Sequence, residues 1–360
     1  MNPSTTMRAA VWHGARDIRV ESVPVPGPPG PGEVLVEVDL ACICASDVAE
    51  YRDGPHVIPV DRPHRLSGRS APVTLGHEFV GRITAMGAEV DGLTLGDRVC
   101  GDACLRCATC YWCVRGEYNI CPLGGSIGLH TDGAFARRLK VPGYTLHRVP
   151  DVVSDRAAAV VEPLAVGLHG LRRGRFEAGD SVVVVGFGMI GAAAALLASA
   201  IGAARVIVVE SAPQRTEAAR RAGAHAVLTP GHELRSQVRE LTEGRGADLV
   251  VDCTGRADVL PSSLELARRG GRVVICGIAH EPSQIRSDRL VYFERDVVGA
   301  LGYRHDHEAV LGLLAAGKLD TDWLFAPAIA LEDIVKDGFE AMTADAGAAW
   351  LRIPVTTGGQ

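Results

Sequence analysis

A run of β-branched residues, Ser181–Val185, passes directly into Gly186-Phe187-Gly188-Met189-Ile190-Gly191 and then into a small, apolar stretch reaching Ile201. The run has the length and composition of a strand buried on both faces, and the stretch after it has helical length. Few folds admit a strand that turns into a helix through three glycines spaced in this way. The first glycine permits the tight turn, and the second lets backbone approach a pyrophosphate. The third lets helix and strand pack closely, while the helix N-terminus stabilises phosphate charge. The next strand, Arg205–Glu210, ends in an acid nineteen residues after Gly191. A carboxylate there accepts hydrogen bonds from an adenosine ribose and repels a 2′-phosphate. Glycine-rich turns are common in isolation. Between strand and helix, with an acid at that distance, this one predicts a dinucleotide site and favours NAD over NADP. Arg215 either stacks on adenine or is a plain helix-surface charge. Cys253-Thr254 and Gly277-Ile278, at the ends of two later strands, join Gly186, Gly188, Met189, Ile190, Gly191 and Glu210 as expected cofactor-binding positions.

The pattern around this motif extends the same reading. Strands at Asp248–Cys253, Arg272–Cys276 and Asp296–Leu301 alternate with helical segments at Gln214–Ala222, His232–Thr242 and Asp258–Ala267. Such alternation predicts a doubly wound parallel sheet. Before about Pro163 the chain reads differently, as short alternating strands at Arg8–Trp12, Asp17–Val20, Glu33–Leu40, Phe79–Met86 and Ala134–Val141 with Pro/Gly segments between them. That is the pattern of an all-β, barrel-like unit with long loops. After about Gly302 the expectation is helix at Glu308–Ala316 and Leu331–Met342, then a closing strand at Trp350–Val355.

Length and composition exclude several classes. The 360 residues suit two domains, and 47% apolar with 22% charged residues is a globular profile, not a disordered one. The net charge is −6 and no basic block is present, which argues against nucleic acid and anionic membrane as partners. Met1–Arg8 lacks the apolar core of a signal peptide, and Gly188–Ala204 is short for a spanning helix. The expectation is a soluble, cytoplasmic protein.

The ten cysteines are unevenly spread. Cys107-x2-Cys110-x2-Cys113-x7-Cys121 places four thiols within fifteen residues, with Gly116 and Asn119 supplying the turn before the last. This spacing wraps a tetrahedral zinc and leaves no open position for chemistry, so the role is structural. Cys100 and Cys104 compete as ligands, and the wide gap after Cys113 favours the later set. Reactive thiols are the competing reading.

A second set is sparser: Cys44 with Ser46 and Asp47, His77 with Glu78, and Glu162 before Pro163. Each residue alone has an ordinary reading: a core thiol, a satisfied imidazole, the start of a helix. Together they comprise a soft thiolate, an imidazole, one or two carboxylates and a nearby hydroxyl. That is the inventory of an open zinc site, with three protein ligands and a fourth position for water or substrate.

On these residues the chain resembles the zinc-dependent medium-chain alcohol and polyol dehydrogenases, most closely the 2,3-butanediol, sorbitol and threonine dehydrogenases. The resemblance rests on Cys44-Ala45-Ser46-Asp47, Gly76-His77-Glu78-Phe79-Val80-Gly81, Gly96-Asp97-Arg98-Val99, the four-cysteine lobe, Val161-Glu162-Pro163-Leu164 and Gly186–Gly191. The segments Gly54–His64 and Leu301–His305 are notably like the butanediol enzymes. It implies an α/β protein with a GroES-like β-barrel catalytic domain, residues 1–163 and 302–360, carrying a zinc lobe at 100–121. A Rossmann domain at 164–301 is inserted between the two catalytic segments. Cys44 and His77 would bind a catalytic zinc, with Glu162 third, directly or through a water, and Glu78 as an alternative or supporting carboxylate. Asp47 would fix the His77 tautomer, and Ser46 would bond the substrate oxygen and begin a proton relay. Two zincs per chain, NAD in preference to NADP, a small alcohol or ketone substrate and a homodimer or homotetramer are implied.

One departure stands out. Many relatives of this kind carry a histidine five residues after the cysteine ligand, and here that position is Ala49, followed by Glu50 and Tyr51. The last relay step then needs water or another side chain. This keeps open an NAD(P)H-dependent reductase of a conjugated C=C bond or a larger ketone, with reductive cyclisation included, in a biosynthetic pathway. A zinc-stabilised nucleotide-binding protein without turnover is the reading from another class. His56, His64, His130 and Tyr51 are candidates for the substrate pocket or for loop surface.

Overall fold

The computed structural model describes residues 5–344 and 351–358. The chain divides into two compact units: one of Met1–Glu162, His307–Ala316 and Leu324–Gln360, the other of Pro163–Asp306 and Gly317–Trp323.

The first unit is built on antiparallel strands. Thr6–Gly14 and Asp17–Pro24 form a hairpin, with Val73–Thr74 added on its other side. A seven-stranded sheet centres on Glu33–Cys42, whose alternating burial fits one packed and one wetter face. Glu33–Cys42 pairs with Glu78–Met86, Arg138–Pro142 and Pro354–Thr356. Arg98–Gly101 and Leu146–Arg148 extend the sheet beyond Glu78–Met86. The core gathers Trp12, Phe79, Phe135 and Phe339. Tyr51 packs at 5.3 Å from Phe339, and Phe135 meets the same ring edge-on at 6.3 Å.

The second unit carries a six-stranded, wholly parallel sheet. Its spatial order is Ala226–Leu228, Arg205–Val209, Ser181–Val185, Ala247–Asp252, Ala267–Ile275, Asp296–Gly299. Numbered along the chain this is 3-2-1-4-5-6, the doubly wound order with its reversal beside the first strand. Val182–Val184 are fully buried, as a strand covered on both faces requires. Helix Met189–Ile201 leaves directly from that strand. No helix among the described residues is long and apolar enough to cross a membrane.

Several elements differ from the sequence reading. The N-terminal half is not all-β, because Ala45–Asp53 is a helix whose buried residues include Asp47, Glu50 and Tyr51. Polar groups on the inner face erase the apolar stripe that would have announced it. Helices Asp155–Ala159 and Val161–Arg173 were not expected either; the first is little more than one turn of alanines, whereas in the second Val161, Leu164, Leu168 and Leu171 recur at helical spacing and are buried, a signal the sequence reading left unused. Leu331–Met342 is a composite, 3₁₀ at Leu331–Asp333, a π-helix at Ile334–Glu340 and a final turn at Ala341–Thr343. Its Gly338 lies against Ile43, where a Cβ would collide. The closing strand is Pro354–Thr356, and Trp350, its expected start, lies outside the described residues.

Candidate metal centres and nucleotide loop

The four cysteines of the lobe meet as their spacing requires. Sγ atoms of Cys107 and Cys113 are 3.9 Å apart, those of Cys110 and Cys121 3.8 Å, and those of Cys107 and Cys121 3.6 Å. A disulfide would bring sulfurs to about 2.05 Å. A zinc ion about 2.3 Å from each of four tetrahedral sulfurs sets them roughly 3.8 Å apart. The donor set therefore fits zinc. Backbone amides of Thr109 and Cys110 hold the Cys107 thiol down at about 6, so a thiolate is at hand. Cys100 and Cys104 stand outside this group.

The second cluster forms in the same unit. Cys44, His77 and Glu78 each bring a ligand atom within 4.8 Å of the other two. Cys44 caps helix Ala45–Asp53, and its backbone N–H donates to Asp47 Oδ2 at 3.0 Å. The other oxygen of Asp47, fully buried, stands 3.4 Å from Nδ1 of His77. One carboxylate thus fixes both the start of the helix and the ring, turning Nε2 toward Ser46 Oγ at 3.4 Å. Burial and the Glu78 carboxylate push the Cys44 thiol up, against the pull of His77. Burial opposes charge on His77, yet Asp47 and Cys44 outweigh it and hold the imidazole well above its usual value. A divalent cation among these groups reverses both directions, giving thiolate and neutral imidazole. A thiol, an imidazole with its far nitrogen steered by a buried acid, and a carboxylate fit zinc.

Arg352, which the sequence reading missed, completes the cluster. Its guanidinium grips Glu78 through Nε to Oε2 at 2.6 Å and Nη2 to Oε1 at 2.7 Å, both partners buried, and Nη2 lies 4.0 Å from Cys44 Sγ. No local pattern marks it: it is 274 residues from Glu78 in a short C-terminal stretch. Glu162 stands in the first turn of helix Val161–Arg173, outside the 4.8 Å cluster. The neighbours of Ala49 are engaged. Glu50 accepts N–H groups from His56, Val57 and Ile58, and Tyr51 is packed on Phe339. His64 and His130 tie loops together, with ring centroids 4.5 Å apart and His64 Nε2 3.1 Å from the Gly124 carbonyl. His56 is exposed beside Asp53.

The glycine loop of the other unit has the form its sequence demands. Gly186 adopts φ 86°, a left-handed conformation. A Cβ at Gly188 would meet nothing within 4 Å, so the backbone is bare where a pyrophosphate would approach. A Cβ at Gly191 would collide with the Gly186 carbonyl oxygen. Glu210 follows strand Arg205–Val209, and its carboxylate accepts N–H groups from Phe187, Ser211 and Ala212 at 2.7–2.8 Å. Burial opposes its charge, but these amides and Arg215 hold the carboxyl below its ordinary value. Arg215 lies 3.5 Å from Glu210. Thr254 is held by Asp252 through its N–H at 3.0 Å and its hydroxyl at 2.7 Å. Gly277 lies against Gly255, and Ile278 is exposed. This cradle fits a dinucleotide.

A parallel 3-2-1-4-5-6 sheet with a bare glycine loop, joined in one chain to a cysteine lobe and a thiol–imidazole–carboxylate cluster, defines a zinc- and nucleotide-dependent oxidoreductase. Residues 190–316 match the zinc-binding dehydrogenase family, and residues 30–151 match the alcohol dehydrogenase GroES-like domain. The (R,R)-butanediol dehydrogenase of Bacillus subtilis strain 168 is 35% identical over 339 residues, covering 93% of this chain and 96% of that protein. The crystal structure of 2R,3R-butanediol dehydrogenase from Bacillus subtilis superposes with a TM-score of 0.91 at 34% identity, over 97% of this chain and 99% of that one. A zinc-binding dehydrogenase from Sinorhizobium meliloti 1021 bound to NADP gives 0.88 at 29% identity, over 98% and 100%. The chain belongs to the zinc-dependent medium-chain alcohol dehydrogenase family. It is an oxidoreductase with a GroES-like part and a Rossmann part, and its cofactors are zinc and a nicotinamide nucleotide.

Proposed function

We propose that the chain is an NAD(H)-dependent dehydrogenase of secondary alcohols or vicinal diols, working as a ketone reductase in reverse. The observation that carries this reading is the meeting of Cys44, His77 and a carboxylate, with the Ser46 hydroxyl 3.4 Å from the ring of His77. The likeness to enzymes named for butanediol supports the substrate class. The alternative, reduction of a conjugated C=C bond, is not favoured by those relatives.

Cys44 and His77 would hold the catalytic zinc with Glu162 in the third place, directly or through a water, while Cys107, Cys110, Cys113 and Cys121 hold a second zinc. When bound, the catalytic zinc lowers the pKa of an alcohol oxygen as it lowers that of water, and the nicotinamide accepts the hydride. Arg352 engages both oxygens of Glu78 and so limits the negative charge that Cys44 and Glu162 must share with it. Ser46 holds the substrate hydroxyl and takes its proton, and Asp47 keeps His77 in the tautomer that presents Nε2. With Ala49 giving no imidazole, Glu50 bonded to three amides and Tyr51 packed in the core, the proton passes from Ser46 to water. Gly188 admits the pyrophosphate, and Glu210 selects NAD by bonding the ribose. Residues 1–163 and 302–360 form the catalytic domain and 164–301 the nucleotide domain of a cytoplasmic homodimer or homotetramer.

A substrate panel run with NADH and with NADPH, setting acetoin against an enone, tests the reading, with metal analysis on the same sample. Cys44→Ala is expected to abolish turnover and to keep the lobe zinc. Wild-type activity in Cys44→Ala would remove the assignment.

A further inference from the structure

The chain enters the second unit twice. After the unbroken stretch Pro163–Asp306 it returns there for Gly317–Trp323 alone, and leaves again at Leu324. The segment adds no strand to the parallel sheet and no ligand to either metal cluster. Leu319 and Thr321 are buried in it, and its last residue, Trp323, is half-buried. Trp323 lies against the glycine loop. Its indole is inclined 13° to the ring of Phe187 with centroids 6.3 Å apart, an offset stack. The indole N–H donates to the Asp320 carbonyl oxygen at 2.9 Å, which sets the direction of the ring.

Phe187 stands between the first two glycines of Gly186–Gly191. Gly186 and Gly188 carry no Cβ to restrict their backbone, so a turn of this composition has much conformational freedom to lose. Phe187 is the one side chain by which Gly186–Gly188 can be held. It is fully buried, its N–H donates to Glu210 Oε2 at 2.8 Å, and its carbonyl oxygen accepts from Arg215 Nη1 at 3.5 Å. The same short segment also reaches the helix after Glu210, where Arg221 Nη2 lies 3.4 Å from Asp320 Oδ2. Both partners of that pair are exposed, so it adds little, and the ring contact carries the link.

We propose that Trp323 is a positioning residue for the nucleotide: its ring, stacked on Phe187, fixes the Gly186–Gly188 turn in the form that admits a pyrophosphate and, through the Phe187 N–H, sets the carboxylate of Glu210. The inference rests on the reading of this loop as the dinucleotide site. A turn ordered beforehand need not be ordered by the ligand, so the contribution of the ring appears as affinity. The pyrophosphate is common to NADH and NADPH, so the effect is expected with either nucleotide.

The test is direct nucleotide binding by the zinc-loaded, full-length protein, measured by calorimetry with NADH and with NADPH. The proteins are wild type, Trp323→Ala, Trp323→Leu and Trp323→Phe, each checked for fold by circular dichroism. Loss of the ring in Trp323→Ala is expected to raise Kd about three- to tenfold, the range of an aromatic pair. Trp323→Phe keeps a ring and is expected to bind within about twofold of wild type. KM for the nucleotide is expected to rise by the same factor as Kd, with kcat moving less. In the nucleotide-free protein, amide hydrogen exchange across Gly186–Gly191 is expected to be faster in Trp323→Ala than in wild type. Trp323→Leu keeps apolar volume without a ring and decides the matter where the alanine variant fails to fold. Wild-type Kd and wild-type exchange in a folded Ala or Leu variant, with only a lowered Tm, would make the ring a plain packing group and overturn the inference alone. Failure of wild type to bind either nucleotide would take down the reading of the loop and the inference with it.

Discussion

Glu210→Gln changes one charge at the nucleotide loop and nearly nothing in shape. In the wild type three backbone N–H groups preset Glu210 as an anion. A glutamine keeps one oxygen to accept from them but carries no charge. A 2′-phosphate placed roughly 5 Å from the carboxylate, at an effective dielectric of about 20, is repelled by about 3 kcal/mol per unit of charge. Arg215, 3.5 Å from Glu210, offsets part of this. A net penalty against NADPH of about 2–3 kcal/mol remains after that offset and solvent screening. On the NADH side, a charge-assisted bond to the ribose becomes a neutral one, a loss of about 1 kcal/mol. The two effects add in the ratio of kcat/KM for NADH over NADPH, which is expected to fall by about two to three orders of magnitude. Steady-state kinetics with one ketone and both nucleotides measures it, with circular dichroism confirming the fold. A ratio that moves less than about threefold would refute the electrostatic account of Glu210, given that the calculation rests on that charge alone.

Two further perturbations probe the metal lobe and the buried pair. Cys110→Ser removes one corner of the sulfur tetrahedron and is expected to lose one zinc per chain. Unfolding temperature is expected to drop by roughly 6–20 °C, since structural zinc is folding energy; unchanged zinc content by elemental analysis would contradict the lobe. Arg352→Met strands the buried Glu78 carboxylate, at a cost of about 3–5 kcal/mol, whereas Glu78→Gln with Arg352→Met together is expected to recover more than half. Urea midpoints of the three proteins measure this, and a single variant as stable as the double would show that the pair is not electrostatically coupled.

The features legible in the sequence are those whose physical requirement is local. Each glycine of Gly186–Gly191 answers a demand on its own backbone or on a neighbour one turn away, so the spacing carries the meaning. The lobe cysteines lie within fifteen residues, and a short loop can satisfy a tetrahedron in few ways. Asp47 is intermediate. Its bond to the Cys44 N–H spans three residues and is a helix-start signal, while its second task, facing His77, is visible only in the fold. The helix it caps went unread because Asp47, Glu50 and Tyr51 are buried on it in place of an apolar stripe. Arg352 was beyond reach for a different reason. Ligation obeys geometric rules that constrain spacing, but charge compensation asks only that an opposite charge arrive within a few ångströms, from anywhere in the chain. A buried carboxylate nevertheless makes a demand that can be stated in advance: Glu78, next to His77 in the chain, needs a positive charge close by. The fold meets that demand with a residue 274 positions away, two residues before a strand only three residues long. What the sequence left unspecified was therefore the partner's address, since the need for a partner follows from burying Glu78 at all.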